Sequence, residues 1–339
     1  MRLSILDQSP VISGHSPAQA IEETLKLARR VEELGYARYW LAEHHAIAAL
    51  GDPCPEVLLA RLGAETRTLR IGTGGVLLPY YGAFKVAEVF RMLEALYPGR
   101  IDLGIGRAPG GDARTARAVG GGRFPDAEQF PQQVWELVGH LDGTLPEDHP
   151  ERGVRLQPGG EPVPEVWLLG SSDYSGLLAA QLGLRFAFAH FINPHGGDVV
   201  MRAYKDRFRP AEKRDAGPHT LLCCFVVCAP TDEEAERRAS VVDLRRLEMA
   251  YNLDTPIPTL EQALQRNYSA KENEYIRSQR ARAVIGAPER CKARLLELAE
   301  QYSADELMVL TITGDYESRA ESYELLAGAF NLSRTAPGA

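Results

Sequence analysis

Pro98-Gly99-Arg100-Ile101-Asp102-Leu103-Gly104-Ile105-Gly106-Arg107-Ala108-Pro109-Gly110-Gly111-Asp112 reads as a strand that runs out into a loop. Ile101, Leu103 and Ile105 alternate with Asp102, Gly104 and Gly106, the period of an extended chain, and the regularity ends at Arg107. Glycines at a strand end let backbone N–H groups approach a ligand. A guanidinium beside them offers a planar, permanently charged fork that matches a phosphate. A strand, a turn and a surface arginine would carry the same letters, so the stretch alone leaves both readings open.

The same grammar extends in both directions along the chain. Upstream, apolar strand runs over 3–6, 38–42 and 69–78 alternate with amphipathic helical stretches over 17–34, 55–68 and 83–97. Pro17 stands near a helix start, and Gly35 and Pro98-Gly99 close two helices. Downstream, the spacing predicts strands over 166–169, 186–189, 220–228 and 306–312. Helices are expected over 126–141, 176–182, 198–208, 231–250, 288–303 and 316–330, the fourth led by Thr231 and an acidic first turn that complements its dipole. Residues 143–164, rich in Pro and Gly, and 251–283 break the pattern and are expected as insertions, the latter irregular.

Eight strand-then-helix units, most with strands of nearly continuous Val, Ile, Leu and Phe, predict an α/β chain folded as a single (β/α)8 TIM barrel over 1–332, with a flexible tail over 333–339. A doubly wound sheet is the competitor. It needs a glycine turn after the first strand, where this chain has Asp7-Gln8-Ser9-Pro10. Counted from Gly104-Ile105-Gly106, the third glycine of a dinucleotide fingerprint would fall on Pro109, so that spacing fails too.

Composition narrows the function classes. Hydrophobic residues at 45% and charged residues at 25% describe an ordinary globular protein. Lys+Arg 38 against Asp+Glu 46 gives a net charge of -8, and no run of Lys and Arg offers the basic face that nucleic acid requires. Five cysteines, three of them in the apolar run 220–228, fit reduced thiols in the cytoplasm. Cys224 and Cys228 lie four apart on a strand, about 13 Å, too far to share a metal ion. No window nears the roughly 18 apolar residues of a membrane span, and no signal-peptide pattern leads the chain.

In a barrel of this kind the chemistry gathers where strands end. The residues that follow each apolar run are Asp7 and Gln8, Glu43, His44 and His45, Thr73 to Gly75, Arg107, Ser171 to Ser175, His190 and Asn193, and Thr313 to Asp315. His44 and His45 are neighbours at a strand end, so one faces the mouth and the other packs away. Ser171, Ser172 and Ser175 open a helix, where free N–H groups and short hydroxyls make an anion site, although ordinary capping needs only one of them. Arg107 and these serines lie on the fourth and fifth strand ends, adjacent in a barrel, and so together can clasp one phosphate.

Tyr39-Trp40-Leu41-Ala42-Glu43-His44-His45, Arg70-Ile71-Gly72-Thr73-Gly74-Gly75-Val76-Leu77-Leu78-Pro79, the stretch from Pro98 to Arg107, and the serine loop before Ala179-Ala180-Gln181-Leu182-Gly183-Leu184 resemble the bacterial luciferase-like flavin monooxygenases in motif, order and spacing. The resemblance covers residues 1 to 330. It implies a barrel that binds reduced FMN from a separate NAD(P)H:flavin reductase and reacts it with O2 to a C4a-peroxyflavin. That species would then oxygenate a small organic substrate such as an aldehyde. His44 falls on the family's catalytic histidine. Arg107, Ser172 and Ser175 fall on phosphate-binding positions, with Ser171 and Tyr174 in the same loop, and Glu43, Gly74 and Gly75 where the flavin ring is held. The resemblance also implies a homodimer formed through the helices after the second and third strands, a mobile lid over 253–283, and often a non-prolyl cis peptide ending the third strand. Gly106 stands where the light-emitting members have a reactive cysteine, so light emission is not expected. Some relatives use a deazaflavin in place of FMN, and some bind flavin without catalysis. A metal-assisted hydrolase built on His44 and Glu43 is the reading outside the family.

Overall fold

Ile101, Leu103 and Ile105 turn outward to meet helices while Asp102, Gly104 and Gly106 face inward, and this division of one strand into two faces recurs around the molecule. The computed structural model describes residues 1–107, 110–214 and 217–333. Among the described residues there are ten parallel strands: β1 (Arg2–Asp7), β2 (Arg38–Leu41), β3 (Arg70–Thr73), β4 (Val76–Leu77), β5 (Ile101–Gly106), β6 (Glu165–Gly170), β7 (Arg185–Ala189), β8 (Thr220–Cys228), β9 (Ala283–Gly286) and β10 (Glu306–Leu310). They follow the order β1-β2-β3-β5-β6-β7-β8-β10, and β10 pairs back onto β1, so eight strands close a (β/α)8 TIM barrel. β4 continues the line of β3 along β5, and β9 extends the sheet beside β8.

Twelve helices wrap or cap the ring: α1 (Pro17–Leu34), α2 (Pro55–Glu65), α3 (Ala83–Leu96), α4 (Ala113–Val119), α5 (Phe130–Asp142), α6 (Asp173–Leu182), α7 (Gly197–Arg207), α8 (Asp232–Ala250), α9 (Leu260–Gln265), α10 (Ala270–Arg280), α11 (Pro288–Gln301) and α12 (Tyr316–Ala329). α1 starts on a capping box in which Ser16 and Gln19 satisfy each other's backbone donors, and it ends on Gly35 in the left-handed region.

Several boundaries differ from expectation. The run 69–78 is not one strand: it breaks at Gly74-Gly75, joined by a cis peptide, and resumes as β4 and a 3-10 turn, Leu78–Tyr80. A Cβ on Gly75 would strike the Gly104 carbonyl, so two glycines let β3 and β5 touch where the run breaks. α6 begins at Asp173, not at 176, which puts Tyr174 and Ser175 in its first turn. The segment 251–283 is not irregular; it holds α9 and α10, each started by a capping box, Thr259 with Gln262 and Ser269 with Glu272. α10 buries no residue, so it lacks the apolar stripe by which a helix is recognised in a sequence. The insertion 143–164 has no helix or strand and is fastened by Arg91, which donates to the carbonyls of Pro158, Gly160 and Pro162. Of the expected tail 333–339, residues 334–339 lie outside the described residues. Among the described residues no helix is long and apolar enough to cross a membrane, and the five cysteines are free thiols.

The N-terminal end of the barrel is sealed by charge. Arg38 reaches Asp102 at 2.7 Å and Glu306 at 3.1 Å, and Arg70 reaches Asp102 at 2.6 Å. Trp40 donates to the same carboxylate at 2.9 Å, and the Arg38 guanidinium stacks on Trp167 at 5.0 Å. Burial raises the Asp102 carboxyl, and the guanidiniums of Arg38 and Arg70 overcome that and hold it below the usual range.

Candidate functional site

The opposite end opens into a cavity of about 300 Å³ lined from every strand of the ring. On one side stand Glu43 and His44 after β2, Gly74 and Gly75 after β3, Arg107 after β5, and Ser171, Ser172 and Ser175 after β6. The other side, from β7 through β8 and β10 to β1, is walled by apolar side chains such as Phe188, Phe191, Leu221, Met308 and Leu6.

Arg107 makes no ion pair with the described residues. Its guanidinium carbon lies over the Tyr174 ring, 4.4 Å from the centroid, a contact that positions the fork without consuming its donors. Tyr174 thus stands behind Arg107 and is not part of the cavity wall. The neighbouring helix end is also open. Ser172 occupies the N-cap of α6 yet makes no capping hydrogen bond, while Asp173 accepts only the N–H of Tyr174. Ser175 is buried against β6, where a Cβ on Gly170 would collide with its hydroxyl, and Asn193 steadies the loop by donating to the Ser171 carbonyl at 3.1 Å. An open helix start, three hydroxyls and a guanidinium on adjacent strand ends have the donor set of a phosphate cradle.

His44 and His45 part as adjacent residues must. His44 lines the cavity, and its Nδ1 is buried with no hydrogen bond. Burial, with His45 nearby, lowers its pKa to about 4, so at neutral pH the ring is uncharged. His45 turns away, with its Nε2 at 2.8 Å from Glu43 Oε1. Glu43 is spent inside the protein: Tyr81 donates to Oε1 at 2.6 Å and the Leu77 N–H to Oε2 at 2.9 Å. It therefore braces the backbone just past the Gly74-Gly75 pair and offers the cavity little free charge.

Other strand-end residues are placed elsewhere. Asp7 is fully buried, paired with Arg319 at 2.6 Å and hydrogen-bonded by Tyr39. Thr73 binds the Gly104 carbonyl, His190 packs on Tyr302, and Thr313 and Asp315 organise the start of α12. Sequence reasoning passed over Asp52. Its carbonyl accepts the His44 N–H, and its Oδ2 is buried without a partner. Burial raises its pKa to about 7, with Asp7, Glu56 and Glu43 adding to the rise and the Cys54 N–H opposing it. Its only sequence signal is its place between Gly51 and Pro53, which resembles any turn. Among the described residues no three His, Cys, Asp or Glu side chains stand close enough to hold a metal ion.

The family model described as luciferase-like monooxygenase matches residues 1–305. The chain is 38% identical over 328 residues to the luciferase-like monooxygenase of Escherichia coli strain K12, covering 95% of each chain. It is 34% identical over 329 residues to the N-acetyl-S-alkylcysteine monooxygenase of Bacillus subtilis strain 168, covering 97% of this chain and 98% of that one. The crystal structure of apo-MsnO8 superposes with a TM-score of 0.89 at 37% identity, covering 98% of this chain and 99% of the other.

Proposed function

The chain belongs to the luciferase-like monooxygenase family, and from that premise we propose that it is an FMN-dependent monooxygenase, taking reduced FMN from a separate NAD(P)H:flavin reductase and using O2 to oxygenate a small organic substrate such as an aldehyde. One observation carries the reading. A single cavity holds both a cation-and-hydroxyl cradle with no anion of its own and a buried imidazole nitrogen with no partner. Bound flavin supplies the activation of dioxygen, which no side chain here can perform.

The protein's own residues do the rest. Arg107, Ser171, Ser172 and the first N–H groups of α6 hold the phosphate, with Tyr174 holding the guanidinium over its ring and Ser175 shaping the loop. Gly74 and Gly75 present bare backbone to a planar ring, and Glu43 keeps that backbone in place through Leu77. His44, uncharged at neutral pH, holds or moves one proton at Nδ1 near the ring. The apolar walls keep water from the reacting atoms. A homodimer belongs to the same reading: Val57, Met92 and Leu96 are more than half exposed along a groove between α2 and α3, an apolar face suited to a second copy.

The deciding experiment mixes the protein with FMN, a flavin reductase, NAD(P)H and a panel of aldehydes, and follows oxygen uptake and oxygenated product. One FMN per chain and substrate-dependent uptake are expected. Retention of a deazaflavin but not FMN would change the cofactor. A tight FMN complex that leaves oxygen uptake at the level of the reductase alone would make the protein a flavin carrier.

A further inference from the structure

The cavity is divided along its circumference. Every charged, imidazole or hydroxyl group of its wall stands on the arc from β2 to β6, and the arc from β7 through β8 and β10 to β1 is apolar save for the Cys223 thiol and Gln8. Burial pushes the Cys223 thiol well above its ordinary range, so it stays an uncharged sulfhydryl. The carboxamide of Gln8 is therefore the strong hydrogen-bonding group of that half, and it makes no hydrogen bond to any described residue.

Its position is fixed on both sides. Asp7 is locked by Arg319 and Tyr39, and its Oδ1 accepts the Ser9 N–H at 2.7 Å. Ser9 takes a left-handed φ of 48°, accepts from Thr24 through its hydroxyl at 3.0 Å, and accepts the Gly51 N–H at 2.8 Å. Both neighbours are wholly buried, so Gln8 stands on a rigid backbone at the cavity wall, two residues above Leu6 on the same face. In the ring of eight, β1 lies directly across from β6, and so Gln8 faces the serine loop from the far wall.

Resting on the monooxygenase reading, we propose that the β7-to-β1 arc is the substrate half of the cavity and that Gln8 is its specificity-determining residue. Its amide hydrogen-bonds the single polar group of an otherwise apolar, uncharged substrate. A charged substrate is disfavoured, because this half of the wall holds no countercharge and would strip a carboxylate of water without replacement. An unbranched hydrocarbon without an acceptor leaves the amide unpaired and is disfavoured from the other side.

The test uses FMN-loaded protein and three probes with one apolar body: cyclohexanone, methylcyclohexane and cyclohexanecarboxylate. Calorimetric titration of the wild type is expected to rank cyclohexanone well above the carboxylate. Gln8→Met, close in volume, is expected to weaken cyclohexanone about tenfold, to leave or improve methylcyclohexane, and to leave the FMN dissociation constant within twofold. Gln8→Asn, which keeps the amide, should recover part of the loss. Unchanged cyclohexanone binding in Gln8→Met, a parallel loss of FMN affinity, or tight carboxylate binding by the wild type would each overturn the assignment. Failure of the wild type to bind FMN would instead remove the monooxygenase reading beneath it.

Discussion

The two ends of the barrel treat charge in opposite ways. At the N-terminal end Arg38, Arg70, Asp102, Glu165 and Glu306 satisfy one another, and the first, third and last of these are almost wholly buried. At the C-terminal end, among the described residues, Arg107 has no carboxylate, His44 has a buried nitrogen with no partner, and Asp52 carries a carboxyl oxygen in the same condition. Paired buried charge holds one geometry, whereas unpaired groups keep their hydrogen-bonding capacity for something else. The contrast separates residues that hold the barrel from residues held ready by it.

That separation is breakable by experiment. Asp102→Ala should have the largest effect, because it removes the fully buried carboxylate that Arg38 and Arg70 share and leaves Glu165 and Glu306 to balance both; a loss of about 3–5 kcal/mol in denaturant unfolding is expected, with whatever protein remains folded still binding FMN. His44→Ala is expected to lower reductase-coupled turnover about a hundredfold to a thousandfold while the melting temperature and FMN affinity hold. If the melting temperature falls with the activity, the imidazole belongs with the structural charges. Arg107→Ala should weaken FMN about tenfold to a hundredfold by fluorescence titration and leave stability within about 0.5 kcal/mol.

Asp52→Asn gives the smallest change and the most specific one. The fold keeps this carboxyl protonated up to about pH 7, whereas the unfolded chain ionises it from about pH 4, so the wild type loses stability as pH rises between the two. Asparagine removes that loss while its amide oxygen can still accept the Cys54 N–H at Oδ1's place. The variant should be more stable than wild type at pH 8, by on the order of 1–3 kcal/mol, and no more stable at pH 4. Equal melting temperatures of the two proteins at pH 8 would show that Asp52 ionises freely.

Much of this was legible in the residues because strands buried on both faces leave a plain mark. The runs 101–106 and 220–228 read directly as barrel walls, and the order of the strands followed from the repeat. Arg107 and the serine loop could be joined from the residues alone, since adjacent strands in a barrel bring their ends together. What escaped lacked an apolar signature. α10 lies on the surface with no buried residue, and its beginning was written only in Ser269 and Glu272, a capping signal easily lost among polar letters. The break at Gly74-Gly75 fell inside a run read as one strand, because apolar residues stand on both sides of it, Leu69 and Ile71 before the glycines and Val76 to Leu78 after them. Glu43 was legible as a strand-end residue at the cavity but not its employment, because Tyr81 and Leu77 reach it only through the fold.

The charged seal at the floor also governs traffic. Trp40, Trp167, Arg38, Asp102 and Glu306 leave no passage through the barrel, so the cavity is a cul-de-sac with its opening over the strands' C-terminal ends. Whatever lies deepest must enter first and leave last. Order of addition is thereby built into the architecture, and steady-state kinetics on this protein should show a compulsory sequence of arrivals, with the shallower ligand trapping the deeper one until it departs.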